Sequence, residues 1–231
     1  MIKNRTAQLI YQSFFCAFAL IGVPASMGLF DHAFWWDFYI HFTNLSNYLC
    51  IGVMFAELIQ TARKQEDSFV NVLPKLKFIS MLGILLTFLV FNLLLAGQPT
   101  RDPAMNFKVN SVCLHIILPI MYIADWFLFY ERGRVKPTWP LLSVLFPLSY
   151  LAFVFIHAAL RHFDTSILTP GGGAVLIYPY FFLRVDQIGV GGVFKWCVIL
   201  FIAFILAGYL FFGADRFLAG KNRTRENPYV S

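Results

Sequence analysis

The chain has 231 residues, of which 59% are hydrophobic and only 13% are charged. A water-soluble domain of this size needs more polar surface than this composition provides, so a soluble fold is excluded and a membrane protein is expected. The formal net charge of +6 does not indicate nucleic acid as a partner, because the basic residues flank apolar runs and form no basic face with interleaved aromatics. Membrane lipids with anionic headgroups are the partners that this charge favours.

Six apolar runs are long enough to cross roughly 30 Å of hydrocarbon as helices. They cover residues 9–29, 39–61, 76–97, 110–130, 139–160 and 193–213. The connections are short, so we predict an all-α fold in which residues 1–231 form a single six-helix transmembrane bundle. With both termini in the cytoplasm, thirteen Lys and Arg residues lie inside and five outside, as the positive-inside rule requires. We therefore expect a multi-pass protein of the cell membrane.

The outer loop between the fifth and sixth runs, residues 161–192, is much longer than the other connections. Its apolar middle, residues 174–185, is too short to span a membrane and lies between two groups of glycines, at 171–173 and 189–192. Such a segment predicts either a re-entrant or interfacial lid over a lipid site or a surface segment that caps the bundle.

Polar residues are unusually frequent near the predicted outer end of the second run. One helical face contains Thr43, Ser46, Asn47 and Cys50, with Asn44 beside them. Because a polar group that faces lipid is costly, we expect this face to turn inward. By helical rise, Thr43 and His115 of the fourth run lie at nearly the same depth.

A hydroxyl becomes a good nucleophile when a base removes its proton, and histidine is the side chain best suited to do so near neutral pH. Thr43 as nucleophile and His115 as base therefore predict acyl transfer from an ester. Pro119 deprives the His115 carbonyl of its helical hydrogen bond, which predicts a bend beside the imidazole. Candidate substrate or oxyanion ligands in the same layer are Asn44, Asn47, Asn92, His157, Tyr178 and Asp186. The asparagines also fit a role as hydrogen-bonding contacts between helices.

The inner half of the bundle is predicted to be less polar. Glu57 and Asp125 lie close to predicted inner helix ends, where we expect them to meet water or Lys and Arg side chains. The four cysteines lie in different runs without a CxxC pair, which indicates free thiols and no disulfide framework.

Three short sequence blocks follow one another along the chain: Phe42-Thr43-Asn44-Leu45-Ser46-Asn47, His115-Ile116-Ile117-Leu118-Pro119 continuing to Asp125-Trp126, and Tyr178-Pro179. Together these blocks resemble the androgen-induced integral membrane hydrolase family and its bacterial relatives. The resemblance implies an intramembrane threonine hydrolase that cleaves fatty acid esters of hydroxy fatty acids, with Thr43 and His115 as catalytic residues. It further implies a long-chain lipid ester as substrate and, through the bacterial branch, a location in the inner membrane.

Three other interpretations stay open. A metal-dependent intramembrane hydrolase would draw its ligands from His115, His157, His162, His41 and Asp186. The closest pair, His157 and His162, is five residues apart and not one helical turn, so we expect no metal and no other cofactor. A transporter or binding protein would use the same polar pocket for a solute, although the chain has no repeat and little charge at mid-membrane. The third is a non-catalytic assembly protein.

Overall fold

A computed structural model describes residues 1–32, 34–70, 72–99, 101–163 and 177–226, without the side chains of 162–163 and 221–226. Six helices in these ranges are long and apolar enough to span a membrane. They are α1 (Arg5–Ser26), α2 (Phe42–Arg63), α3 (Pro74–Leu95), α4 (Val109–Phe129), α5 (Trp139–Arg161) and α6 (Val185–Gly220). The described ranges contain no strand, so the predicted all-α six-helix fold is confirmed. We call the end of the bundle that carries the N-terminus and the α2–α3 loop the inner end.

Two helices begin four or more residues earlier than the sequence predicted. α1 begins at Arg5 because the Asn4 side chain caps it, accepting a hydrogen bond from the Ala7 N–H at 2.8 Å. α6 begins at Val185, before a sharp bend at Gly189, where φ is 67° and ψ is 170°. Part of the predicted outer loop is therefore helical. The first glycine group of that loop, at 171–173, lies outside the described residues.

α3 lies at the centre of the bundle. α1 packs against α2 and α4, and α3 packs against α2 and α4 on one side and against α5 and α6 on the other. α1 and α4 approach closely at Gly22, where an added Cβ would lie 2.8 Å from the Cβ of Cys113. Only 11% of the most apolar stretch of α6 is buried, so most of its surface is left for lipid.

Two helices contain a π turn, in which the backbone hydrogen bonds skip one residue further than in an α-helix. One covers Phe91–Leu95 in α3 and the other covers Cys113–Ile117 in α4. The second lies just before Pro119, which has no N–H to continue the regular pattern. The bend predicted beside His115 therefore takes the form of a widened turn. Such turns are frequent at functional sites.

Of the two kinds of partner expected for Glu57 and Asp125, water or Lys and Arg side chains, the structure shows a Lys side chain. Both side chains are buried, and both bond to the ammonium group of Lys77, which is itself 1% exposed. Lys77 lies in the first turn of α3 and so has its backbone near the inner surface, as the charge distribution suggested. Its side chain enters the bundle because two carboxylates there offer it a partner.

Candidate active site

Thr43 lies at the N-terminus of α2. Residues Trp36–Ile40 form a 3-10 turn, and the helix begins at Phe42, with Asn44 making the first helical bond to the carbonyl of His41 at 3.1 Å. The N–H of Thr43 therefore has no partner within the helix, as is general for a first turn. It points to the hydroxyl of Tyr180 at 3.5 Å. The positive end of the α2 dipole also lies at this point.

The polar face of α2 turns inward, as expected. Thr43, Ser46, Asn47 and Cys50 are all buried. Below Thr43, each of these groups connects helices: Ser46 bonds to Thr87 at 2.7 Å, and the Asn47 amide donates to the carbonyls of Thr43 and Leu114 at 2.8 and 3.0 Å. Asn47 thus serves as an interhelical contact, one of the two roles considered for it. The Thr43 side chain is the member of this face that borders open space.

His115 lies in the middle of the π turn of α4. Its Nδ1 is 3.0 Å from the carbonyl oxygen of Ser111. Because a carbonyl can only accept, Nδ1 carries the proton of the neutral ring and Nε2 is the basic nitrogen. The ring stacks on Phe91 of the other π turn, with centroids 3.7 Å apart and an interplanar angle of 17°. The ring orientation is therefore fixed from two sides.

Thr43 and His115 line the same cavity at the outer end of the bundle. This polar cavity has a volume of about 600 Å³. Its walls come from α1, α2, α3 and α4, from the α1–α2 and α3–α4 connections, and from residues 179–181. Charged groups at its rim include Asp37, Arg101 and Lys108. Among the described residues, no hydrogen bond joins Thr43 to His115, and both residues border the space of the cavity.

A smaller apolar pocket of about 70 Å³ meets the polar cavity at Thr43 and Tyr180. Its other walls are side chains of α3, α5 and α6, Phe42 of α2 and residues 182–183, mainly leucines and aromatics. Thr43 therefore stands between a space suited to water or polar groups and one suited to hydrocarbon.

Tyr180 is the site residue that sequence reasoning missed. The segment 177–184 packs into the bundle, with Tyr180, Phe182 and Leu183 all buried. Burial raises the pKa of the Tyr180 phenol above its ordinary value of 10.0, so the group stays a hydrogen-bond donor at physiological pH. The sequence singled out the loop and its neighbour Tyr178, but Tyr178 packs on Phe155 at 6.3 Å and does not line the polar cavity. Because side chains in a loop do not alternate with a regular period, the sequence does not show which loop residue faces inward.

Among the other predicted ligands, only Asn44 lines the polar cavity, with its amide donating to the Phe38 carbonyl at 2.5 Å. Asn92 is exposed and bonds to the Phe88 carbonyl of its own helix. His157 pairs with the Tyr39 hydroxyl at 3.0 Å, and Asp186 is exposed and paired with Arg184 at 3.0 Å. These last three side chains do not line the polar cavity, because each is turned toward a different neighbour.

No family model, curated protein or solved structure matches the chain. Within the described residues, no group of three or more His, Cys, Asp or Glu side chains is placed to hold a metal ion. The side chain of His162, one of the candidate ligands, lies outside the described residues.

Proposed function

We propose that the protein is a threonine-dependent intramembrane hydrolase of long-chain fatty acyl esters, acting near the outer end of the bundle. One observation carries the proposal: the Thr43 side chain and the imidazole of His115, whose basic Nε2 makes no hydrogen bond to the described protein, border one cavity. Neither residue needs a third catalytic side chain, because the carbonyl of Ser111 takes the orienting role that a carboxylate has in many triads.

In the first step, His115 Nε2 accepts the hydroxyl proton while Thr43 Oγ bonds to the ester carbonyl carbon. The tetrahedral intermediate then expels the alcohol, which leaves with the proton from His115, and an acyl group stays on Thr43. A water molecule, activated by His115, attacks the acyl carbonyl. The acid is released and the Thr43 hydroxyl regains its proton.

The developing oxyanion needs donors beside Thr43. The Thr43 N–H has no acceptor within the helix and donates only a long bond, 3.5 Å, to the Tyr180 oxygen. An oxyanion beside Thr43 would accept from this N–H in place of Tyr180 and would also accept from the Tyr180 hydroxyl. Both donors are buried at the outer end, and preorganised donors of this kind stabilise a transition state more than flexible ones. The α2 dipole acts in the same sense.

The apolar pocket suits the start of the acyl chain, and its lining by α3, α5 and α6 favours a substrate that enters from the lipid. A long chain exceeds about 70 Å³, so its distal part would extend between these helices. The alcohol portion would then occupy the polar cavity.

A second candidate function is solute or headgroup binding without turnover. The size of the polar cavity and the charges at its rim favour it. In that case His115 Nε2 would not act as a base, and Thr43 would only form hydrogen bonds to the bound molecule.

Two measurements on purified protein in lipid nanodiscs test the proposal. One is the release of fatty acid from a set of long-chain esters, and the other is labelling by a fluorophosphonate, which reacts with activated hydroxyls. We expect Thr43→Ala and His115→Ala each to lower turnover by about 10³-fold or more, and the double variant to lose little beyond that. Thr43→Ser should keep part of the activity, and the adduct should map to residue 43.

The matched control is Thr61→Ala, which removes a buried threonine hydroxyl at the inner end of the same helix. It should turn over ester like the unmodified protein. A folded Thr43→Ala protein with full turnover would refute the mechanism. Ligand binding without hydrolysis of any ester would favour the second candidate function, solute or headgroup binding.

A further inference from the structure

A buried group of charges at the inner end of the bundle takes no part in the proposed hydrolysis. It consists of Glu57 on α2, Lys77 on α3 and Asp125 on α4, which we call the inner triad. The Lys77 ammonium bonds to Glu57 Oε2 and to Asp125 Oδ2. All three side chains are at most 3% exposed.

The charges of the inner triad do not balance. Two ionised carboxylates and one ammonium leave one negative charge, and among the described residues Lys77 is the only cation bonded to either carboxylate. A net charge buried in an apolar bundle is costly, and such a group ordinarily neutralises by binding a proton.

A second observation concerns Asp125 alone. Its other oxygen, Oδ1, is buried and has no hydrogen-bond partner among the described residues. An ionised carboxylate shares its charge between both oxygens, so an unpartnered Oδ1 penalises the ionised form.

The titratable groups around the inner triad supply no further proton donor to these carboxylates. The Tyr122 ring lies under the Lys77 ammonium at 4.5 Å, and its hydroxyl bonds to Ser80 at 2.7 Å. The Cys50 thiol donates to the Ser80 carbonyl at 3.4 Å, and the Tyr11 hydroxyl of α1 donates to the Met121 carbonyl at 2.8 Å. Tyr130, beyond the end of α4, is within electrostatic range of Glu57. Each of these groups is neutral in its ordinary state.

We propose that the inner triad is a proton-binding site, in which Glu57 and Asp125 together hold one proton at neutral pH beside the charged Lys77. The proton neutralises the triad as a whole. Because the two carboxyls share one cation, the proton belongs to the pair and not to one residue. The site lies at the opposite end of the bundle from Thr43, so it stands independently of the proposed hydrolysis.

Infrared spectroscopy of the purified full-length protein in nanodiscs tests this directly. A protonated carboxyl has a C=O stretching band apart from those of carboxylate and amide groups, and the band shifts in D₂O. We expect the unmodified protein to show this band at pH 8, where exposed Asp and Glu are ionised. Glu57→Gln and Asp125→Asn should each abolish it, because each leaves one carboxylate with one ammonium. Lys77→Met should increase the band about twofold, because neither carboxyl then has a cation.

The matched control is Asp215→Asn. Asp215 is also a buried carboxylate, but its two oxygens accept hydrogen bonds from the N–H groups of Gly133 and Val135 at 3.0 and 3.1 Å, so its removal should leave the band unchanged. Absence of the band from the unmodified protein at pH 8 would overturn the proposal even if no variant folds. A band that appears only when choline replaces Na⁺ in the buffer would also overturn it, since the site would then hold a metal cation in place of the proton.

Discussion

Replacing Tyr180 by phenylalanine removes one hydroxyl and leaves the aromatic ring in place. The ring is stacked on Phe182 with centroids 5.1 Å apart, so the substitution creates no large cavity. The hydrogen bond that Tyr180 accepts from the Thr43 N–H is long, at 3.5 Å. A bond at the limit of the distance range contributes little, and we expect the free energy of unfolding to fall by about 1 kcal/mol or less.

The effect of Tyr180→Phe on catalysis should be much larger. Loss of one oxyanion donor typically lowers kcat by about 10²–10³-fold, which corresponds to about 2.7–4 kcal/mol. The assay is fatty acid release by nanodisc-embedded protein under saturating ester, with thermal unfolding measured on the same sample. We therefore expect kcat to drop by about two orders of magnitude with nearly unchanged unfolding temperature and KM.

Tyr150→Phe gives the matched comparison. The Tyr150 hydroxyl donates a shorter hydrogen bond, 2.9 Å, to the Ile40 carbonyl, so its loss should lower stability more and kcat less. Unchanged kcat in Tyr180→Phe would refute the oxyanion role of Tyr180. A loss of kcat that simply follows a loss of stability in both variants would refute it as well.

The raised pKa of Tyr180 also predicts a pH dependence of stability. The buried phenol keeps its proton above pH 10, where the same group in the unfolded chain ionises. The stability contribution of Tyr180 is therefore fully present below about pH 10 and is lost as the pH rises through the higher folded-state pKa. Tyr180→Phe should show a shallower alkaline loss of unfolding temperature than the unmodified protein, and equal slopes would contradict this reasoning.

Further substitutions test other parts of the structure. Burial lowers the pKa of His41 below its ordinary 6.5, so the protein should lose stability as the pH falls below that value. Thermal unfolding at pH 7 and pH 5 should show a smaller loss in His41→Gln than in the unmodified protein. Gly83→Ala would place Cβ 2.6 Å from an aromatic carbon of α5 and should destabilise by about 1–3 kcal/mol, whereas Gly52→Ala meets nothing within 4 Å and should stabilise by about 0.5–1 kcal/mol. Single cysteines at Phe107 and Lys136, in a background without native thiols, should react with an impermeant reagent from opposite sides, and labelling of both from one side would overturn the topology. Chelator treatment should leave ester turnover intact, and a loss restored by zinc would transfer the assignment to a metal hydrolase.

Several features of the fold could be predicted from the sequence because they depend on local properties. The length of each apolar run determines that it can cross the membrane, and the six runs appear as six helices. The cost of polar groups in lipid determines that the face with Thr43 and Ser46 turns inward, and helical rise was enough to bring Thr43 and His115 to one cavity. Pro119 predicted an irregular turn beside His115, because proline lacks a backbone N–H wherever it occurs.

The tertiary structure alone decided which side chains from different segments meet. Tyr180 replaces Tyr178 at the site because the direction of a side chain in an irregular segment depends on the surface beneath it. Asn92 turns outward, because the direction of a helical side chain follows from the packing of its helix and not from its position along the helix. Glu57 and Asp125 share the one Lys77 ammonium because α3 packs against both α2 and α4, and the packing of helices in a bundle is not contained in the period of any one of them.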